Sequence, residues 1–92
     1  MFLEIVSPEA ILFSSEIDAL SAPGLHGEFQ MLNNHASIVA VLKQGTVKIQ
    51  GTALEVDKAF EQKFAKDGDA LLLDITSGTL EMKDNKVIIL AD

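Results

Sequence analysis

The chain has 92 residues, no cysteine and a formal net charge of −7 at pH 7. A chain of this length forms one domain, because chains shorter than roughly 200 residues rarely divide. The acidic balance argues against a nucleic-acid-binding protein, since a phosphate backbone attracts Lys and Arg patches. The absence of cysteine excludes disulfides and cysteine-ligated zinc, and it fits a reducing compartment such as the cytosol. We therefore expect residues 1–92 to form one acidic domain, and its 48% hydrophobic content predicts apolar surface that meets a partner.

Short apolar segments follow one another along the chain, separated by turn residues every eight to twelve positions or so, and this pattern predicts an all-β sandwich or barrel. Val47 and Ile49 alternate with polar residues, as do Leu80 and Met82, which places these four side chains on a core face. The separators that fall between the predicted strands are Ser7-Pro8, Pro23-Gly24, Asn33-Asn34, Gly45, Gly51, Asp67-Gly68, Ser77-Gly78 and Asp84-Asn85.

Two segments, Ile38–Leu42 and Val87–Ala91, are apolar at every position instead of every second one. Each is far shorter than the ~20 residues that a membrane-spanning helix needs. A strand of this kind buries both faces or lends one face to another subunit. These two strands are therefore our candidates for an interface.

Two further segments carry local signals of different strength. Asp84-Asn85 lies between two apolar runs and predicts a tight hairpin. Residues 53–66 are ambiguous, because Leu54, Val56, Phe60 and Phe64 approach a helical stripe while the two phenylalanines also share one face of a strand. We expect a long hairpin in this segment, with a short helix as the alternative.

The residues that carry chemistry are few. His26, Glu28 and His35 offer two imidazoles and a carboxylate to a metal, but the chain has no H-E-x-x-H motif and no further histidine. No G-x-S-x-G sequence activates a serine, and the six glycines are too dispersed to cradle a phosphate. We therefore expect no catalytic residue, metal, cofactor or small-molecule substrate.

Lys58 requires a separate comparison, because Glu55-Val56-Asp57-Lys58-Ala59 resembles the E-T-D-K-A hairpin whose lysine carries lipoate in lipoyl carrier domains. The strand before the motif is too short for that family, and the residues after it lack the expected alternation. Lys58 is then an exposed charge beside Asp57. A lipoyl-type carrier modified at Lys58 is the alternative function.

Four blocks of the chain, in order, resemble the N-terminal domain of the epsilon subunit of F-type ATP synthase. "LEIVSPEAILFSSEIDAL" (3–20) is similar to the opening strands of that family, and "PGLHGEFQML" (23–32) to its Gly-Glu loop. "NNHASIVAVLKQGTVKI" (33–49) is similar to its Gly-His-Ala turn and the strands that follow, and "SGTLEMKDNKVIILAD" (77–92) to its closing hairpin.

The resemblance implies a flattened β-sandwich of about ten strands that catalyses nothing itself. It implies a rotor subunit of the central stalk, which binds the gamma subunit and rests on the c ring, so that proton flow is coupled to ATP synthesis. The domain would then lie at the cytoplasmic face of the inner membrane, attached through the complex.

The family's contact residues transfer to matching positions of this chain. Gly27, Glu28 and Phe29 match the loop that meets the c ring, and His35 matches the histidine near the gamma contact. The chain departs from the family pattern at Asn33-Asn34, where Pro-Gly is common, and in the longer stretch before Asp69. It also ends where most members continue into a C-terminal helical hairpin, so we expect that hairpin to be absent.

Overall fold

The computed structural model describes all residues from Met1 to Asp92 and contains ten β-strands and one 3-10 helix. No helix is both long and apolar enough to cross a membrane. The expected all-β class is confirmed. The strands are β1 Phe2–Val6, β2 Ile11–Glu16, β3 Ala19–Gly24, β4 Gly27–Leu32, β5 Ile38–Leu42, β6 Gly45–Gln50, β7 Phe64–Asp67, β8 Ala70–Ile75, β9 Gly78–Lys83 and β10 Lys86–Ala91, and the 3-10 helix is Lys58–Lys63.

All ten strands belong to one sheet with the order β2-β1-β10-β9-β5-β3-β6-β8-β7, and β4 pairs only with β3. The β1–β10 pair is parallel, and every other pair is antiparallel. The sheet curls so that the half from β2 to β5 faces the half from β3 to β7. The two halves act as the layers of a sandwich around one core.

Side chains from both halves fill that core. The predicted inward residues Val47 and Ile49 of β6 and Leu80 and Met82 of β9 are at most 1% exposed, so the period-two prediction is confirmed. Twenty buried residues form one continuous cluster. Each fully buried Leu or Ile side chain contributes roughly 1.5–3 kcal/mol, so this shared cluster is the main source of stability.

The two ends of the strand order, β2 and β7, do not pair with each other. The rings of Phe13 on β2 and Phe64 on β7 meet instead, with centroids 5.9 Å apart and planes tilted by 46°. This separation is within the favourable range for aromatic pairs. We call this line of side-chain contact between β2 and β7 the seam.

The prediction of a long hairpin over residues 53–66 is wrong for most of the segment. Lys58–Lys63 forms the 3-10 helix, and only Phe64 onward belongs to a strand. The helix begins where it does because the Asp57 carboxylate accepts a hydrogen bond from the N–H of Ala59 at 2.9 Å. That local cap competes successfully with strand pairing, so the short-helix alternative describes this part of the chain better.

The turn predictions have mixed outcomes. Asp84 and Asn85 have φ angles of 52° and 60°, which confirms the tight hairpin between β9 and β10. Pro23-Gly24 does not separate strands, because both residues lie in β3. Proline has no N–H to donate, but at this position the hydrogen bond is made by its carbonyl, which accepts from the N–H of Lys43 at 2.9 Å.

We expect Leu80→Ala to lower the free energy of unfolding by about 2–5 kcal/mol, because it leaves a cavity in the shared core. Val39→Ala removes methyl groups from a side chain that is 75% exposed, so the change should stay within about 0.5 kcal/mol. Urea denaturation of both variants measures the difference. Similar losses would mean that the outer face of β5 is covered in the folded protein.

Candidate functional site

The β3–β4 hairpin ends in a tip, residues 24–29, of which residues 25–28 are exposed. Leu25 and His26 form its two-residue turn, and Gly27 follows with a φ of +127°, a conformation that side chains rarely adopt. A Cβ atom at Gly24 would lie 2.8 Å from the ring of Phe29. Glycine at position 24 therefore allows the half-buried Phe29 ring to pack over the turn and against the core.

Glu28 is exposed at this tip, and its carboxylate has no partner within the protein. The one ion pair in the structure joins the Met1 amino group to the Glu16 carboxylate at 3.2 Å. The charge of Glu28 is therefore available to another molecule. Gly27, Glu28 and Phe29 are consecutive at the tip, where the Phe29 ring packs against the core, and their contact with a partner stays a prediction.

The tip is attached directly to β5. The N–H of Leu25 donates to the carbonyl of Val41 at 3.1 Å, and the bond from Lys43 to Pro23 lies next to it. A groove forms between the tip and residues 38–41 of β5. Backbone hydrogen bonds therefore connect the tip to β5.

His35 is not part of the tip. It lies in the loop between β4 and β5. The strand from Glu28 to Leu32 is about 13 Å long and separates this loop from Glu28. Its Nδ1 atom is 2.7 Å from the carbonyl oxygen of Ala36. His26 and Glu28 flank Gly27 at the opposite end of β4, so the three side chains considered as metal ligands do not converge.

The paired asparagines anchor the loop that carries His35. Asn34 has a φ of +62°, the left-handed conformation that asparagine tolerates. Its N–H donates to Oδ1 of Asn85 at 2.8 Å, and Oδ1 of Asn33 accepts from the Met1 amino group at 2.5 Å. The loop is thus tied to the β9–β10 turn and to the start of β1. Sequence reasoning missed these partners because they are up to 51 positions away.

An apolar band crosses the outer face of the half-sheet from β5 to β2. The strand register aligns Val41, Thr79, Leu90, Val6 and Ile11 in one row, one residue from each strand. We define the apolar band as the hydrophobic residues of this row together with the neighbouring Val39. Its exposed members are Ile11 at 55%, Val39 at 75%, Val41 at 56% and Leu90 at 54%.

Ile38–Leu42 and Val87–Ala91 were each expected to bury both faces or to lend one face to another subunit. Burial of both faces is wrong for β5, because Val39 and Val41 point away from the core and nothing in the chain covers them. On β10 only Leu90 is strongly exposed. Sequence reasoning missed that β1 and β2 contribute residues to the band. The unbroken apolar run Ile11-Leu12-Phe13 was the available signal, because a strand cannot turn three consecutive side chains toward one core.

These ten strands, packed as two layers around one core, define a small β-sandwich domain with an exposed apolar band on one outer face. The sequence matches the family described as the ATP synthase, Delta/Epsilon chain, beta-sandwich domain over residues 1–92, and the chain belongs to that family. The resemblance found in the sequence is confirmed.

Two relatives illustrate the match. The ATP synthase epsilon chain of Desulforamulus reducens is 34% identical over 90 residues, which cover 98% of this chain and 57% of the relative. That of Chlorobaculum tepidum is 37% identical over 90 residues, covering 98% of this chain and 86% of the relative. The chain therefore spans little more than half of the first relative and most of the second.

Two solved structures share the fold. One is the central stalk and c ring of the Tetrahymena thermophila mitochondrial ATP synthase, with a TM-score of 0.72, 19% identity and coverage of 99% of this chain and 62% of that one. The other is the Euglena gracilis mitochondrial ATP synthase, with a TM-score of 0.74, 19% identity and coverage of 97% and 48%. At this identity the likeness establishes the fold.

Lys58 has a different environment from a lipoyl lysine. It is the first residue of the 3-10 helix, whereas the lipoyl motif requires the turn of a hairpin. Its side chain is exposed and makes no salt bridge. The structure and the family match both argue against the lipoyl alternative.

We expect Asn34→Ala to lower the free energy of unfolding by about 1–2 kcal/mol, because alanine is strained in the left-handed conformation. Asn34→Gly keeps the backbone N–H that bonds to Asn85 and should cost less than Asn34→Ala. Thermal and urea unfolding of the two variants measure the comparison. Equal losses would show that the asparagine side chain, and not the backbone angle, is what matters.

Proposed function

We propose that this chain is a non-catalytic rotor subunit of a proton-translocating F-type ATP synthase, in which it links the gamma subunit to the c ring. The observation that carries this proposal is the match of residues 1–92 to the Delta/Epsilon family, whose relatives include ATP synthase epsilon chains. The domain would act at the cytoplasmic face of the inner membrane as a peripheral part of the complex. Its task is mechanical, since rotation of the ring must reach gamma without slip.

The β3–β4 tip is suited to the contact with the c ring. Gly27 and Phe29 hold the turn in one shape, and Glu28 projects a charge that no group of the chain neutralises. A basic side chain in a polar loop of the ring is the complementary partner. A single exposed pair contributes only ~0–1 kcal/mol, so the fixed shape of the tip must supply part of the specificity.

The apolar band is suited to the contact with gamma. A lasting subunit contact buries apolar side chains, and the band offers four that are more than half exposed. Glu4 and Glu81 face outward in the next row, beside the band, so they favour a partner with basic residues around an apolar centre. His35 lies in the loop before β5 and belongs to this second surface.

Coupling of the two surfaces follows from the sheet. The tip and β5 are joined by the hydrogen bonds from Leu25 to Val41 and from Lys43 to Pro23, and β5 is paired along its whole length with β9. A force applied at Glu28 therefore reaches the band through backbone hydrogen bonds instead of a flexible linker. This continuity explains how a small domain without chemistry of its own can transmit torque.

Glu28→Lys should weaken retention of the c ring about tenfold while leaving the fold intact, because it replaces an attraction by a repulsion of similar size. Gln30→Lys is the matched control, since Gln30 is exposed on the same face of the same strand, two residues further on. Co-purification of each variant with its gamma subunit and c ring measures retention. Equal retention by both variants, at low salt as well as high, would refute the role of the tip.

Val39→Asp should abolish most binding to gamma, because it places an unpaired charge in an apolar contact. Gln50→Asp adds the same charge on exposed β6, outside the apolar band, and should bind normally. Calorimetric titration of each folded variant with purified gamma compares the two affinities. If Val39→Asp binds as tightly as Gln50→Asp, the apolar band is not the gamma surface.

A further inference from the structure

The seam between β2 and β7 leaves two strand edges without hydrogen-bonded neighbours. The Ile17 N–H donates to the Met1 carbonyl at 2.7 Å. From there along β2, every second residue directs its backbone N–H and C=O groups toward β1. Ser14 falls between two such residues, so its backbone groups face away from β1. On β7 the outer edge is equally unpaired. Unpaired edges bind other strands, and natural proteins cover them or blunt them with charges.

Residues 51–63, which we call the strap, lie over this seam. On one side a crevice separates residues 55–57 from residues 11–14 of β2. On the other, Leu54 and Val56 line a depression together with Phe64 of β7. The strap therefore lies beside both β2 and β7.

The strap forms no hydrogen bond to a strand except at its own end, where the Phe64 N–H of β7 donates to the Glu61 carbonyl. Its other bonds, from the Ala59 N–H to the Asp57 side chain and from the Phe60 N–H to the Asp57 carbonyl, are internal. None of its charged side chains is in a salt bridge. Directional interactions thus attach the strap to the sheet only at the residue that follows it in the chain.

Three partly buried side chains hold the strap in place: Leu54, Val56 and Phe60 pack against the core. Gly51 lets the strap fold back, because a Cβ there would lie 2.7 Å from Cδ2 of Leu54. No residue of the 3-10 helix is fully buried. A segment with few buried contacts and a single hydrogen bond to its surroundings opens at much lower free energy than the whole domain.

The sheet remains paired when the strap is released. Gln50 at its start pairs with Ala70, and Phe64 at its end pairs with Leu73, so β6 and β7 are both held by β8. Opening is therefore confined to the strap and the seam beneath it.

We propose that the strap is a cover for the β2 and β7 edges, that it opens as a unit while the sheet stays folded, and that opening lets these edges pair with a second copy of the chain. A second copy is the matching occupant because each molecule offers a β2 edge and a β7 edge that can pair with each other. Pairing β2 of one copy with β7 of the next is a head-to-tail contact, which builds a ring or an open chain of copies. This inference is independent of the rotor function.

Hydrogen exchange of the isolated protein tests the opening. The amides of Ala59 and Phe60, which are hydrogen-bonded within the strap, should exchange at least about 100-fold faster than those of β9 and β10, because local opening precedes global unfolding. Exchange of both regions at one rate would overturn the proposal, since the strap would then open only when the domain unfolds.

Sedimentation velocity over a range of concentrations tests the consequence. Phe60→Ala removes the largest strap contact and should begin to associate at a concentration about tenfold lower than the unmodified chain, whereas the exposed Lys58→Ala should behave like the unmodified chain. Protection of the β9–β10 amides verifies folding, and Phe60→Leu replaces Phe60→Ala if that protection is lost.

A second substitution identifies the surface through which copies associate. Ser14→Pro removes an edge N–H that faces away from β1, so in the Phe60→Ala background it should restore the monomer. A Phe60→Ala protein with a released strap that stays monomeric would overturn the proposal. Association that persists after Ser14→Pro would also overturn it.

Discussion

One hydrophobic core serves both halves of a single curled sheet, and the rest of the structure depends on it. The inward side chains of β1, β9 and β10 meet those of β3, β6 and β8 in a cluster of twenty buried residues. Because side chains alternate along each strand, the packing of one set into the core also determines which residues face outward. The outer surface is therefore free to differ between the two halves, and it carries Val39, Val41 and Leu90 on one of them.

The features suited to partner binding are positioned by backbone contacts. Glycine at position 24 admits the Phe29 ring, and the bond from Leu25 to Val41 joins the tip to β5. No exposed side chain has to order itself at the moment of binding for the tip to keep its shape, which lowers the entropic cost of association. A subunit whose proposed task is to transmit force benefits from that rigidity, because a mobile contact would absorb rotation instead of passing it on.

The strap is attached to the domain by apolar packing, whereas the tip is attached by backbone hydrogen bonds. It lies where the sheet fails to close, and it is held mainly by Leu54, Val56 and Phe60, with one hydrogen bond to a strand at its end. Apolar contacts are non-directional, so they keep such a segment near the surface without fixing it as β5 fixes the tip. Rigid pairing at the tip and loose packing at the seam can coexist because the pairs β6–β8 and β7–β8 separate the strap from the rest of the sheet.

Alternation and turn chemistry act between neighbours in the chain, so residue patterns were enough to predict the all-β class, the inward positions of Val47 and Ile49 and the Asp84-Asn85 hairpin. The family was predicted from the resemblance of four blocks to known sequences, and the roles of Gly27, Glu28, Phe29 and His35 remain predictions from that resemblance. The folded structure was needed to see that Val6, Ile11, Val41 and Leu90 form one band, that Asn34 is tied to Asn85, and that residues 51–63 lie across a seam. These arrangements depend on strand register and sheet closure, which join residues far apart in the chain and leave no local periodicity.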